Sequence, residues 1–96
     1  MESRIYISDL YDLYGELLTD KQKEYFEEYY FDNLTLQEIG ENHGISRNAI
    51  HKQIKETEEK LMHFEEVLNL YNKNKRIKEI CNNLDEDMKN KILDIL

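Results

Sequence analysis

The sequence predicts an all-α fold: a helix-turn-helix head whose last helix runs on into a C-terminal helical dimerisation segment. Three observations carry this expectation. The 96 residues contain no proline and only three glycines, so long stretches have nothing to interrupt a helix. Apolar residues recur at steps of three and four, the spacing of one helical face. The stretch from Leu34 to Leu61 contains a short amphipathic helix, a turn at Gly44 and a second helix starting after Ser46, which is the order of a helix-turn-helix.

Each element has its own signals. A first helix is predicted from Ile5 to Leu18, with Ile7, Leu10, Tyr14, Leu17 and Leu18 on its inner face. Tyr6, Tyr11 and Tyr14 are read as core-filling rings whose hydroxyls reach solvent rather than as a platform for bases. Thr19 caps a second helix over Asp20–Phe31, with Phe26, Tyr29 and Tyr30 inward and Lys23, Glu24, Glu27 and Glu28 in water. Asp32-Asn33 supplies turn chemistry. Thr35 and Glu38 form a capping box for the third helix, where Leu36, Ile39, Gly40 and His43 share a face. Gly40 lets the next helix cross closely, Gly44 supplies a positive φ, Ile45 is an apolar plug behind the turn, and Ser46 caps the fourth helix.

The fourth helix continues past the motif. Ile50, Ile54, Thr57, Leu61, Phe64, Leu68 and Tyr71 keep a heptad rhythm. The spacing predicts one helix of about 25 residues, roughly 37 Å long, with a bend near Asn72–Asn74. A small head cannot cover that seam, so its far end is expected to pack on the C-terminal segment, on a second subunit, or on both. Lys73, Lys75, Arg76 and Lys78 read as the charged end of a helix, favoured by its dipole, ahead of a second nucleic-acid contact. Ile77, Ile80, Cys81 and Leu84 make another apolar face, Asp85 is a cap, and Met88, Ile92, Leu93, Ile95 and Leu96 form a last short helix. The chain is read as one helical domain, 1–96, with a head over 1–56 and the long-helix continuation over 57–96.

Charge and composition narrow the function. The net charge is −8, and residues 1–46 hold three basic against eleven acidic side chains. Residues 47–60 and 61–84 each hold four basic and three acidic ones, so any phosphate-binding footprint is local and begins at the fourth helix. No apolar run reaches the ~18–20 residues of a membrane span, and no secretory signal is visible. A lone Cys81 on an apolar face reads as a buried thiol and suits a reducing cytoplasm. His43, His51 and His63 are scattered, and neither a zinc spacing nor a glycine-rich phosphate loop occurs. No catalytic set, metal site or cofactor is expected, so the chain is not read as an enzyme.

The candidate binding residues are Arg47, Asn48, His51, Lys52 and Lys55, which share the outer face of the fourth helix. In a complex that face would enter a major groove. Arg and Asn can pair with base edges, while Lys52 and Lys55 can neutralise phosphates.

From Leu17 to Leu61 the residues LLTDKQKEYFEEYYFDNLTLQEIGENHGISRNAIHKQIKETEEKL resemble the YlxM family of small bacterial helix-turn-helix proteins. More distantly, they are similar to region 4 of sigma factors. The resemblance covers roughly residues 5–80 and leaves the last helix outside. It lands the family's Arg-polar-Ala run on Arg47, Asn48 and Ala49, and a further lysine on Lys55. His43 departs from the pattern, and Glu56, Glu58 and Glu59 make the recognition helix less basic than in sigma factors. The resemblance implies a component or regulator of the signal recognition particle pathway, because the family's genes lie beside those of the particle's GTPases.

Two functions follow as expectations. The first is a cytoplasmic homodimer that binds DNA or RNA, signal recognition particle RNA included, through the five residues of the fourth helix. The second is an adaptor that binds a basic targeting GTPase through Glu24, Glu27 and Glu28, without nucleic acid.

Overall fold

Side chains set most of the helix starts by accepting backbone N–H groups that a helix leaves unpaired. Ser3 Oγ accepts from Tyr6 N at 3.1 Å, Ser46 Oγ from Ala49 N at 3.1 Å, and Asp85 Oδ1 from Met88 N at 2.9 Å. Thr19 with Gln22 and Thr35 with Glu38 form reciprocal capping boxes. The backbone N–H of Thr35 holds the Glu38 carboxyl below the ordinary carboxylate range.

The computed structural model describes residues 3–96, and among them the chain is all-α. The helices are α1 (Arg4–Tyr14), α2 (Asp20–Tyr30), α3 (Leu36–His43), α4 (Arg47–Leu68), α5 (Leu70–Cys81) and α6 (Glu86–Leu93), with a 3-10 turn at Gly15–Leu17. The first helix is shorter than predicted, because that tighter turn replaces its last residues and leaves Leu17 54% exposed.

Two apolar clusters form the core, and α4 joins them. Near the motif, Ile50 and Ile54 pack with Tyr25 and Ile39, beside Tyr29, Tyr30, Leu34 and Leu36. Further along, Leu61 packs with Ile7, Leu10, Tyr14, Leu18 and Phe26. Tyr11 and Tyr30 stack on either side of Phe26, each with ring centroids 4.3 Å apart. Burial, then the neighbouring Glu27 carboxylate, pushes the Tyr11 hydroxyl up to about 12. Thr57 is fully buried without a polar penalty, since its hydroxyl donates to Gln53 O at 2.8 Å.

The seam of α4 departs from the heptad reading after Leu61. Glu65 is the next buried residue, while Phe64 is half-buried and Leu68 is 42% exposed. The helix α1 packs along this part of α4, so much of the seam is covered within the chain. The helix also stops sooner than predicted. Asn69 adopts φ +56°, a left-handed conformation that asparagine tolerates, and α5 starts at once.

Asn69 has no side-chain cap to offer α5, and residues from elsewhere supply one. The Tyr14 hydroxyl accepts from Leu70 N at 3.1 Å and donates to Glu65 Oε1 at 2.6 Å. The Glu65 carboxylate accepts from Tyr71 N at 2.9 Å and Asn72 N at 3.2 Å. The first three N–H groups of α5 are thereby satisfied by one buried pair. The Tyr14 hydroxyl therefore does not reach solvent, contrary to the sequence reading. Burial and the Glu65 bond both raise its pKa.

The molecule is elongated, 54 × 25 × 24 Å; α5 packs on α1 and leads to α6, which contacts α5. Cys81 is buried, whereas Ile80, Met88 and Ile95 are 60%, 46% and 84% exposed.

Removing the shared cap has a defined cost. Glu65→Ala leaves α5 uncapped and the buried Tyr14 hydroxyl without its acceptor, and should destabilise by about 2–3 kcal/mol. Tyr14→Phe, which keeps the ring, should cost about 1–2 kcal/mol. Urea unfolding followed by circular dichroism measures both, and unchanged midpoints would refute the role given to this pair.

Candidate nucleic-acid interface

The interface is set by the α3–α4 turn, where each residue type has a physical reason. Gly44 ends α3 at φ +68° and donates its N–H to Gly40 O. Ile45 N also donates to Gly40 O, at 3.0 Å. A Cβ on Gly40 would meet Ile45 O at 2.7 Å and Arg47 N at 3.4 Å, so the glycine permits the close crossing that the sequence suggested. Ile45 itself is 38% exposed and is not the predicted apolar plug; backbone contacts to Gly40 hold this segment instead. His43 Nε2 lies 2.5 Å from Glu28 Oε2, tying α3 to α2, and the His43 ring meets Tyr25 edge-on at 4.8 Å. Glu28 is thus half-buried and engaged, not part of a purely solvated face.

The turn presents the first turns of α4 to solvent. Arg47, Asn48, His51, Lys52 and Lys55 are all exposed, and their side chains make no hydrogen bond or ion pair within the described residues. Ile50 and Ile54, at 0% and 3% exposure, anchor the opposite face. The five candidates therefore have a rigid support and free functional groups.

They do not form one flat strip. His51 and Lys55 line a groove of about 710 Å³ between α4 and the α1–α2 pair, whereas Arg47, Asn48 and Lys52 lie outside it. Across the groove stands Arg4, which the sequence reading did not single out. Its guanidinium lies 4.4 Å from the Tyr30 ring centroid and 5.0 Å from that of Tyr29, and it donates to Tyr29 O at 3.1 Å. No local signal marks it, because it sits more than forty residues before the helix it faces. Glu58 and Glu59 close the groove one turn beyond Lys55, so the basic face is short. Glu58 accepts a hydrogen bond from Tyr30, and burial followed by that bond lifts the Tyr30 hydroxyl well above its ordinary pKa.

Comparison with known proteins agrees with this architecture. The family model described as "UPF0122: Putative helix-turn-helix protein, YlxM / p13 like" matches residues 1–95. A UPF0122 protein of Clostridium botulinum is 44% identical over 91 residues, covering 95% of this chain and 84% of the relative. One from Thermoanaerobacter is 46% identical over 82 residues, covering 85% and 68%. The UPF0122 protein YlxM of Bacillus subtilis is 42% identical over 86 residues, covering 90% and 78%.

The packing of the turn can be checked at one atom. In an unconstrained helix Gly→Ala gains roughly 1 kcal/mol. At Gly40 the added methyl meets backbone, which cannot swing aside as a side chain can. Gly40→Ala should therefore lower the melting temperature, and a rise would show that the crossing is looser than described.

Proposed function

The chain belongs to the UPF0122 family of helix-turn-helix proteins, and from that premise we propose that it is a non-enzymatic regulatory protein that binds nucleic acid through α4. The observation that carries this reading is the set of five exposed side chains at the start of α4, all free of partners and held by a buried isoleucine pair. Arg47 and Asn48, first in the helix, are placed to contact base edges. Lys52 and Lys55 neutralise phosphates, and His51 lies between them at the groove. Either DNA or RNA meets these requirements. The resemblance to YlxM supports a place in the signal recognition particle pathway, with the particle's RNA as a natural target and its GTPases as neighbours. The buried Cys81 thiol suits a cytoplasmic protein.

Side-chain engagement favours this reading over the acidic adaptor. Glu24 pairs with Lys21 at 3.2 Å, Glu28 with His43, and Glu27 acts on Tyr11. The three carboxylates assigned to a basic partner thus already have neighbours in the fold, whereas Arg47, Lys52 and Lys55 at the start of α4 have none.

Self-association completes the proposal. The chain exposes 6796 Å² at a mass of 11.7 kDa, against roughly 5,900 Å² for a compact monomer of that mass. The excess goes with the elongated shape, which leaves apolar side chains of the C-terminal helices uncovered. Ile80 and Met88 on the extended C-terminal helices are suited to that contact.

Two measurements test these claims. Lys52→Glu with Lys55→Glu should abolish binding to a DNA duplex and to signal recognition particle RNA at moderate salt. Wild-type protein that shows no salt-dependent binding to either would end the nucleic-acid reading. Light scattering at micromolar concentration should give a dimer, reduced to a monomer by Ile80→Glu with Met88→Glu. A wild-type monomer would remove the self-association claim alone.

A further inference from the structure

The cations of this chain fall into two groups. Those of α1, α2, the second half of α4 and α6 are mostly engaged: Arg4 on Tyr29 and Tyr30, Lys21 with Glu24, Lys23 with Glu16, Lys60 with Gln22, and Lys91 with Asp87. The free ones concentrate at the start of α4 and along α5. On α5, Lys73, Lys75, Arg76 and Lys78 are all exposed, and none makes an ion pair or side-chain hydrogen bond among the described residues.

The fold gives this second group no structural role. A basic cluster at the end of a helix is stabilised by the helix dipole, the explanation that the sequence alone favours. The observed boundaries remove it for most of the cluster. Since α5 runs from Leu70 to Cys81, only Lys78 lies in its last turn. Lys73 is its fourth residue, near the end where the dipole opposes a cation. Lys75 and Lys78 border a cleft of about 380 Å³ opposite Asp9 and Asp12, yet neither reaches a carboxylate as an ion pair. Lys73 and Arg76, three residues apart on the same side of the helix, lie outside both that cleft and the groove beside α4.

We propose that α5 is a second phosphate-binding element, so that one protomer contacts a nucleic-acid duplex at two points, one at the start of α4 and one beyond its end. This rests on the nucleic-acid reading of α4 and adds to it the extent and form of the ligand. The first group occupies the opening turns of α4, so the axial rise to the end of that helix at Leu68 is roughly 32 Å from Arg47 and roughly 20 Å from Lys55, at 1.5 Å per residue. One turn of a B-form duplex is about 34–36 Å. Because α5 packs on α1 and α6 and not on the turn, the two cation groups stay at the two ends of α4. A duplex lying along the long axis would present its backbone to both. The α5 contacts are to phosphate alone, since lysines and an arginine scattered around a helix carry no base-reading pattern.

The test is a salt titration with the full chain. Lys73→Gln, Lys75→Gln, Arg76→Gln and Lys78→Gln are combined, glutamine having nearly the helix propensity of lysine. Circular dichroism confirms that the helix content is kept; the outward pair Lys73→Gln with Arg76→Gln serves if the fourfold variant does not fold. On a duplex of about 20 base pairs, the slope of log K against log salt should fall by roughly 0.9 for each phosphate contact removed. DNA and RNA duplexes are run in parallel, and a reduced slope with either supports the proposal. An unchanged slope overturns it while leaving α4 binding intact. So does a variant that loses self-association and keeps its slope, because the cations then face the acidic surface of a second copy. Wild-type protein that binds neither duplex overturns this proposal together with the reading of α4.

Discussion

The arrangement of the C-terminal half depends on one buried carboxylate. Glu65 lies on the inner face of α4, 6% exposed, where a hydrophobic seam would place an apolar side chain. An ionised group there is costly unless it is hydrogen-bonded. Glu65 accepts from the Tyr14 hydroxyl and from two backbone N–H groups of α5, and α5 in turn can begin directly after a left-handed residue because that carboxylate receives its N–H groups. Helix start, the break at Asn69 and the docking of α1 are therefore mutually dependent. The helix dipole adds to the match, since a carboxylate at a helix N-terminus is favourable.

That constraint lets α4 serve two regions. Its first turns carry Ile50 and Ile54 into the cluster under the motif, and Leu61 enters the cluster with α1 and Phe26. A rigid rod between two cores transmits the orientation fixed at one end to the other. The exposed residues of the first turns consequently have their direction set by packing on α1 and α2 as well as by the turn. The long α4 is thus supported within the chain, and in the proposed reading self-association falls to the helices beyond it.

The local grammar of this fold is legible in the sequence, and its long-range chemistry is not. Thr19, Thr35, Ser46 and Asp85 announce their caps, Gly44 its positive φ, and Ile39, Ile50 and Ile54 their burial, since each signal acts within a few residues. The heptad rhythm misplaces Phe64 and Leu68, because Glu65 breaks the apolar pattern and its partner Tyr14 is fifty-one residues away. The break at Asn69 looks in the sequence like one of several helix-weakening asparagines. Only the remote cap singles it out. The candidate site follows the same division: the five residues of α4 are visible from the motif, whereas Arg4 reaches the groove through tertiary packing alone.

An acidic chain that binds phosphate needs its charges separated in kind, not only in number. In the head, some of the carboxylates have partners: Glu16 pairs with Lys23, Glu24 with Lys21, and Glu28 with His43. The two lysine pairs are locally neutral, and at physiological ionic strength charges beyond about 8 Å are largely screened. The unpaired cations of α4 then act on a phosphate nearly as they would on a less acidic protein. At longer range the net charge of −8 still opposes approach to any polyanion. In the proposed reading, this combination suppresses loose association with arbitrary duplex while retaining short-range contacts. A ligand must meet the free side chains at close quarters before attraction exceeds repulsion, so the acidity of the chain works toward selectivity and does not contradict binding.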